Sequence, residues 1–161
     1  DDTYRKIPIN YGNQPSIETA FVFNHIGKPW LTQHWSREVV KTVFGDLNPT
    51  LGYSGDEDQG LMGSLSAIMK MGLFEMRSGA GLEPKVDIGS PIFDKITIHL
   101  NQDYYKGDKV EIIADGNSDL NRYIKKATWN DALLKKPEIN HRNLTGGGML
   151  KLEMTSQPVK N

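Results

Sequence analysis

The sequence predicts an α+β fold, with helices in the first half of the chain and antiparallel strands in the second half. Before residue 78, apolar residues recur at three- and four-residue spacing, which is typical of amphipathic helices. After residue 79, apolar and polar residues alternate, which is typical of half-buried strands. The 161 residues suffice for one ordinary domain or for two small pieces that share a core. We therefore expect a helical segment, residues 1–78, and a strand segment, residues 79–161.

Three helices are predicted in the helical segment, each with an apolar stripe that we interpret as core. They begin at or near residues suited to helix N-termini and stop at glycine, which tolerates the left-handed backbone of a helix C-terminus. The predicted helices run from Ser16 to Gly27, from Thr32 to Gly45 and from about Asp58 to Gly72.

Three strands are predicted in the second segment, at residues 96–100, 110–114 and 150–154. Segments rich in glycine, asparagine and aspartate separate them and indicate turns. Because the alternation is one-sided, we expect an antiparallel sheet with one face packed and the other face in water. Such a sheet looks like half of a sandwich, so the predicted fold requires a further layer.

Composition excludes several classes of function. The formal net charge of −1 argues against a nucleic-acid or anionic-membrane partner, because both favour basic patches. No apolar run approaches the ~18 residues of a membrane span. The absence of cysteine excludes disulfides, zinc–thiolate sites and cysteine nucleophiles. The chain opens on Asp1-Asp2 without an initiator methionine, so we expect a processed protein or a fragment.

An acidic loop at residues 55–60 is the main candidate for chemistry. It places Asp56, Glu57 and Asp58 between two glycines, directly before the third predicted helix. Glycine widens the accessible backbone conformations, and a helix start offers free N–H groups and a partial positive charge. Two interpretations remain open from the residues alone: an acidic helix cap, or carboxylates held at the rim of a cavity.

Several further motifs occur in order along the chain. They are Tyr11-Gly12-Asn13-Gln14-Pro15-Ser16, Phe23-Asn24, Gly27-Lys28-Pro29-Trp30, Thr32-Gln33 with Arg37, Gly55-Asp56-Glu57-Asp58-Gln59-Gly60-Leu61-Met62, Ile88-Gly89-Ser90-Pro91-Ile92-Phe93-Asp94-Lys95, and Gly147-Gly148-Met149-Leu150-Lys151-Leu152-Glu153-Met154. Their order and spacing resemble the C-terminal part of the glycoside hydrolase family 92 α-mannosidases, over nearly the whole chain.

The resemblance implies a calcium-dependent, inverting, exo-acting mannosidase that hydrolyses α-mannosides of N-glycan or mannan type. Its fold has an N-terminal β-sandwich and an (α/α)6 barrel. On this basis residues ~10–73 are the last barrel helices, and the strands after residue 80 close against a preceding sandwich. The implied partners are a mannose-containing glycan and the missing N-terminal part of the same enzyme. A periplasmic or secreted location follows by the same analogy.

The resemblance assigns a role to the acidic loop. Inversion needs one carboxyl group to protonate the leaving oxygen and another to activate a water on the opposite face of the sugar. The two aspartates of this loop carry the base function in the family. We expect Asp58 to activate the water and Asp56 to position it or tune its charge, with Glu57 as a structural cap.

The resemblance also assigns a calcium site. The Asn-Glu pair of the family's Gly-Asn-Glu-Pro-Ser motif contributes to it, and the matching residues are Asn13 and Gln14. An amide oxygen can bind calcium but brings no negative charge, so Gln14 weakens the expected site. Glu18 lies four positions later and would restore a carboxylate if a helix started early enough.

No segment of this chain matches the motif that carries the general acid in the family, so we expect the chain alone to be catalytically inert. Two other functions remain open. The chain could be a non-catalytic carbohydrate-binding module that stacks sugar on an exposed aromatic ring, for which Trp129 is the candidate. It could also be a structural lid segment whose catalytic chemistry has decayed.

Overall fold

The structure is a computed structural model that describes residues 9–48, 60–77 and 81–160. The two longer helices lie in the first half of the described chain, and most strands lie in the second half. Two short 3-10 turns lead into a single α-helical turn, α1, and two longer helices follow, with a fourth helix late in the chain. The turns are Gln14–Ser16 and Thr19–Phe21, and the helices are α1 (Val22–His25), α2 (Pro29–Val43), α3 (Leu61–Lys70) and α4 (His141–Thr145).

The helix starts differ from the predicted ones for local reasons. The β-branched Ile17 and Thr19 have low helix propensity, and the first predicted helix is divided into 3-10 turns and a single α-helical turn. The second helix begins before Thr32, because Pro29 supplies the φ angle suited to a first helical turn. The predicted start of the third helix at Asp58 lies outside the described residues.

Within the described residues, eight strands form two sheets. The strands are β1 (Leu73–Phe74), β2 (Lys85–Ile88), β3 (Lys95–His99), β4 (Lys109–Asp115), β5 (Tyr123–Trp129), β6 (Ala132–Leu133), β7 (Glu138–Asn140) and β8 (Gly148–Thr155). One sheet has three strands in the order β1-β2-β7, and the other has five in the order β3-β4-β8-β5-β6. Because β1 pairs with β2, the sheets draw on both sides of the predicted boundary at residue 78.

The prediction of a purely antiparallel sheet is wrong at one pair. Strands β4 and β8 run parallel, with Val110 opposite Gly148 and Asp115 opposite Glu153. The long connection between them, which includes β5, β6, β7 and α4, allows this arrangement, because parallel neighbours need a crossover. Alternation reports which face is buried and carries no information on strand direction.

The two sheets pack face to face around one apolar core. Leu73, Val86, Ile88 and Ile139 come from the three-stranded sheet, and the inner residues of β4 and β8 come from the five-stranded sheet. The outer face of the five-stranded sheet carries cross-strand ion pairs, among them Lys95 with Glu111. One face of the five-stranded sheet is therefore packed and the other is exposed to solvent, as predicted. The core of this sandwich is filled by the chain itself, and closure against a preceding sandwich remains a prediction.

A second core lies under the helices. It contains Phe21 and Met69, which are fully buried, together with apolar residues of α2 and α3. Phe74 of β1 stacks on Phe21 with the ring centroids 4.7 Å apart. Gly89 lies beneath the same ring, since an added Cβ would be 3.0 Å from Cε1 of Phe21. The helical layer is thereby fixed against the start of the three-stranded sheet.

None of the helices in the described part of the chain has the length and apolar character needed to cross a bilayer.

Candidate functional site

The segment before Asn13 is held by a buried tyrosine. The side chain of Tyr11 is only 2% exposed, and its hydroxyl oxygen accepts a hydrogen bond from the backbone N–H of Ala20 at 2.8 Å. Burial raises the pKa of Tyr11 to about 12. The backbone N–H of Gly12 also donates to Oδ1 of Asn10 at 2.8 Å. The backbone that enters the predicted calcium motif is therefore fixed in direction.

Asn13 and Gln14 lie at the start of the first 3-10 turn. The carbonyl of Asn13 accepts from the N–H of Ser16 at 3.2 Å, and that of Gln14 accepts from the N–H of Ile17 at 3.3 Å. The side chain of Asn13 does not cap the turn, and both side chains are exposed. The backbone oxygens are thus engaged in the turn, whereas the side-chain oxygens face outward.

Glu18 does not share a face with Gln14 in the way the sequence suggested. Residues four apart align in an α-helix, but in a 3-10 turn residues three apart align and the next is about 120° away. The chain is 3-10 at Gln14–Ser16, and the first α-helical residue is Val22. The early α-helix on which a role for Glu18 depended is absent at this position.

Asp56 and Asp58 lie outside the described residues, but the element that follows them is well defined. Gly60 caps α3 with φ of +84°, in the left-handed region. Its carbonyl accepts from the N–H of Ser64 at 3.2 Å and from the Ser64 hydroxyl at 2.9 Å. Met62, on the first turn of α3, is buried in the helical core. The acidic loop therefore leads into an anchored helix N-terminus.

The described residues supply only part of a calcium site. Within residues 9–48, 60–77 and 81–160, no three His, Asp or Glu side chains converge in a way that could hold a metal. The amide oxygens of Asn13 and Gln14 are oxygen donors of the kind calcium accepts, without the charge that strengthens binding. These two amide oxygens are therefore suitable calcium ligands, but a complete site would also need carboxylates from other residues.

The aromatic residue considered for sugar stacking is in the core. Trp129 is 9% exposed and packs between the sheets opposite Leu150 of β8. An added Cβ on Gly148 would lie 2.8 Å from Cζ2 of its ring, so backbone covers part of the indole. Trp129 offers no open face to a sugar. Trp35 is partly buried against the helical core.

Several motif residues join the helical layer to the sheets. Arg37 of α2 is 7% exposed, and its Nε donates to Oγ of Ser90 at 3.0 Å. Ser90 in turn donates to the carbonyl of Arg122 at 2.7 Å. Gln33 Oε1 accepts from the N–H of Ile124 at 3.1 Å. Burial lowers the pKa of Arg37 to about 10, and the neighbouring Arg122 acts in the same direction.

Sequence reasoning missed a polar cluster at the other end of this junction. Asp87 is 3% exposed, and its Oδ1 lies 2.9 Å from Nε2 of His25 and 3.2 Å from Nδ2 of Asn24. Burial raises the pKa of Asp87, while Asn24 and His25 oppose that rise. The available signal was a single carboxylate between Val86 and Ile88, an unusual residue in an apolar strand.

Comparisons with known proteins identify the relatives of the chain. The family described as "Glycosyl hydrolase family 92 catalytic domain" matches residues 1–156. An uncharacterized secreted glycosidase from Arthroderma benhamiae is 29% identical over 146 residues, which are 89% of this chain and 18% of the relative. The chain therefore spans less than a fifth of the length of that curated relative.

Solved structures agree with this match. A family GH92 α-mannosidase from Bacteroides thetaiotaomicron, in complex with mannoimidazole, superposes with a TM-score of 0.82 at 26% identity. This match covers 92% of the present chain and 18% of that chain. A family GH92 inverting mannosidase from the same organism has a TM-score of 0.78 at 33% identity, over 92% of this chain and 19% of that one. The resemblance read from the motifs is confirmed, and so is the α+β fold: the chain belongs to glycosyl hydrolase family 92.

Proposed function

We propose that this chain provides the general-base loop and part of the calcium site of an inverting exo-α-mannosidase. The observation that carries the proposal is the family match over residues 1–156, which contains the acidic loop and the Asn13–Gln14 motif in order. The 33% identity to a family member described as an inverting mannosidase supports the stereochemical outcome. The proposed substrates are α-mannosides of N-glycan or mannan type, and the proposed location is outside the cytoplasm.

The proposed chemistry is a single displacement. Asp58 takes a proton from a water molecule as the water oxygen bonds to the anomeric carbon, and the bond from that carbon to the leaving oxygen breaks. A general acid from outside this chain protonates the leaving oxygen. Asp56 positions the water beside Asp58. Helix α3 begins three residues after Asp58, so the partial positive charge of its N-terminus would favour negative charge on that carboxylate.

Calcium, when bound, would fix the sugar hydroxyls and add positive charge beside the reacting centre. Asn13 and Gln14 would supply side-chain oxygens, and the stiff turn that follows Tyr11 keeps those residues at the surface. The remaining ligands would come from outside the described residues. Glu18 is left out of this proposed set because of the 3-10 geometry.

The proposed enzyme also needs further barrel helices around α1 to α3. An apolar cleft of about 180 Å³ lies on the helical layer, with Tyr11, Phe23 and Trp35 among its lining residues. Apolar surface of this kind gains free energy when another element covers it. We propose that helices of the N-terminal part of the enzyme cover this cleft in an (α/α)6 barrel.

The experiment that tests the base is Asp58→Asn in the intact enzyme that contains this chain. Removing a general base typically costs ~10²–10⁴-fold in rate, so kcat should fall by that range while the circular dichroism spectrum is unchanged. Glu57→Gln is the matched control in the same loop and should retain most activity. Equal activity of the wild type and Asp58→Asn would reject the general-base role of this loop and favour a structural lid.

No specific observation favours the carbohydrate-binding module, since the ring of Trp129 is buried. The prediction that this chain alone is inert stands untested. Turnover of an aryl α-mannoside by the homogeneous 161-residue chain would contradict it.

A further inference from the structure

A basic cleft lies between the α1–α2 turn and strands β2 and β7, and nothing in the proposed mannosidase chemistry uses it. Its volume is about 580 Å³, within the range of small-molecule sites. Its cationic lining residues are Arg77, Lys85, Lys135 and Lys136. A second cleft of about 400 Å³ shares Lys135 and Lys136 with the first.

The carboxylates of this cleft already have partners within the chain. Glu138 lies 2.5 Å from Nζ of Lys85. Asp87 is buried under the cleft and faces His25 at 2.9 Å. In the part of the chain that the structure describes, Arg77, Lys135 and Lys136 pair with no carboxylate. The exposed charge of the rim is therefore positive, although the whole chain has a formal net charge of −1.

The cationic rim is held in place by backbone contacts. Strand β2 pairs with β7, and the N–H of Ile88 donates to the carbonyl of Pro137 at 2.8 Å. Pro137 follows directly on Lys136, so the two adjacent lysines are attached to the edge of the three-stranded sheet. Like charges held close together repel each other, and an anion bound between them relieves that repulsion.

We propose that this cleft is a binding site for a phosphate group, either free or as a monoester. Three cationic side chains without carboxylate partners, around a concave surface of suitable size, match a tetrahedral anion with two negative charges. Neither Asn13 nor Gln14 is among the described residues that line the cleft, and the proposal uses no residue assigned to the mannosidase chemistry, so it is independent of that function.

The test is a titration of the chain at low ionic strength with inorganic phosphate, glycerol 3-phosphate and glycerol, followed by calorimetry and by amide chemical shifts. Phosphate-bearing probes should bind with millimolar or tighter affinity and shift the amides of Lys135 and Lys136, whereas glycerol should do neither. Tighter binding of glycerol 3-phosphate would assign a monoester, and tighter binding of inorganic phosphate would assign the free ion. Added sodium chloride should weaken binding without abolishing the selectivity for phosphate.

The decisive variant is Lys135→Gln/Lys136→Gln, which should weaken phosphate binding about tenfold or more. The matched control is Lys106→Gln/Lys151→Gln, which removes the same charge elsewhere and should leave the affinity within about twofold. The proposal is overturned if phosphate fails to bind, if chloride competes as well as phosphate, or if both double variants lose affinity equally. Unchanged thermal melting of the variants ensures that a loss of binding is not a loss of fold.

Discussion

The buried hydroxyl of Tyr11 makes stability depend on pH in an unusual range. Its pKa is raised to about 12 in the folded chain, compared with an ordinary value near 10. Above pH 10 the unfolded chain loses this proton while the folded chain keeps it. The unfolded state is therefore favoured as pH rises from 10 to 12, and the stabilisation present below pH 10 is lost across that window. Two pKa units correspond to about 3 kcal/mol.

The variant Tyr11→Phe isolates this effect, since all other titrating groups are common to both proteins. Near pH 8 the variant should be less stable by about 1–3 kcal/mol, because the buried N–H of Ala20 loses its acceptor at 2.8 Å. Between pH 10 and 12 the wild type should lose about 3 kcal/mol relative to the variant, so that the difference closes or changes sign. Denaturant unfolding at each pH measures both values. A stability difference that stays constant from pH 8 to 12 would refute the reasoning.

Three further outcomes are expected. Gly60→Ala should destabilise the chain by about 1–2 kcal/mol in denaturant unfolding, because its φ of +84° is strained for alanine, although an added Cβ meets no atom within 4 Å. Gly81→Ala, at a position without positive φ, should be neutral. Arg37→Met should cost roughly 1–3 kcal/mol, measured in the same way, because the hydrogen bonds of a buried charged donor to Ser90 and Asn117 are lost. In the intact enzyme, Gln14→Glu should lower the calcium concentration for half-maximal activity by about tenfold, because an exposed added carboxylate strengthens the site; no change would remove Gln14 from it.

The parts of the fold that the sequence predicted are those with a regular apolar period. Strands β4 and β8 bury the residues that the period places inward, and β3 half-buries them, so periodicity located these strands well. Helix α3 buries Met62, Leu65 and Met69, whereas Ile68 of the same apolar stripe is exposed. Strand β5 shows no clean alternation, because Lys125 and Lys126 are adjacent and a bulge shifts the register there. Strands β1 and β6 have two residues each, too few to show any period. Their pairing depends on partners distant in the chain.

The site was predicted unevenly for a related reason. Asn13 and Gln14 were found through a local motif, and the structure places them together on one exposed turn. Asn24 and Asp87 are 63 positions apart, and their contact exists only after α1 packs on β2. The net charge of the chain, which is close to zero, likewise gave no indication of the basic cleft, because the lysines of the cleft come from β2 and from the loop before β7. Charge has to be mapped on the folded surface before it indicates a ligand.

The motifs that identify the family and the residues that would perform its chemistry have different physical roles. Arg37 and Ser90 bond to each other across the layers, and Asn24 donates to the carbonyl of Ile88 at 3.1 Å. A substitution at these positions would leave buried polar groups without partners and damage the fold. Gln14 is exposed at the start of a turn, so exchanging a carboxylate for an amide there costs the fold little. The motifs that identify the family therefore mainly reflect contacts between the helices and the sheets. Catalytic activity has to be tested separately, by substituting Gln14 and the residues of the acidic loop.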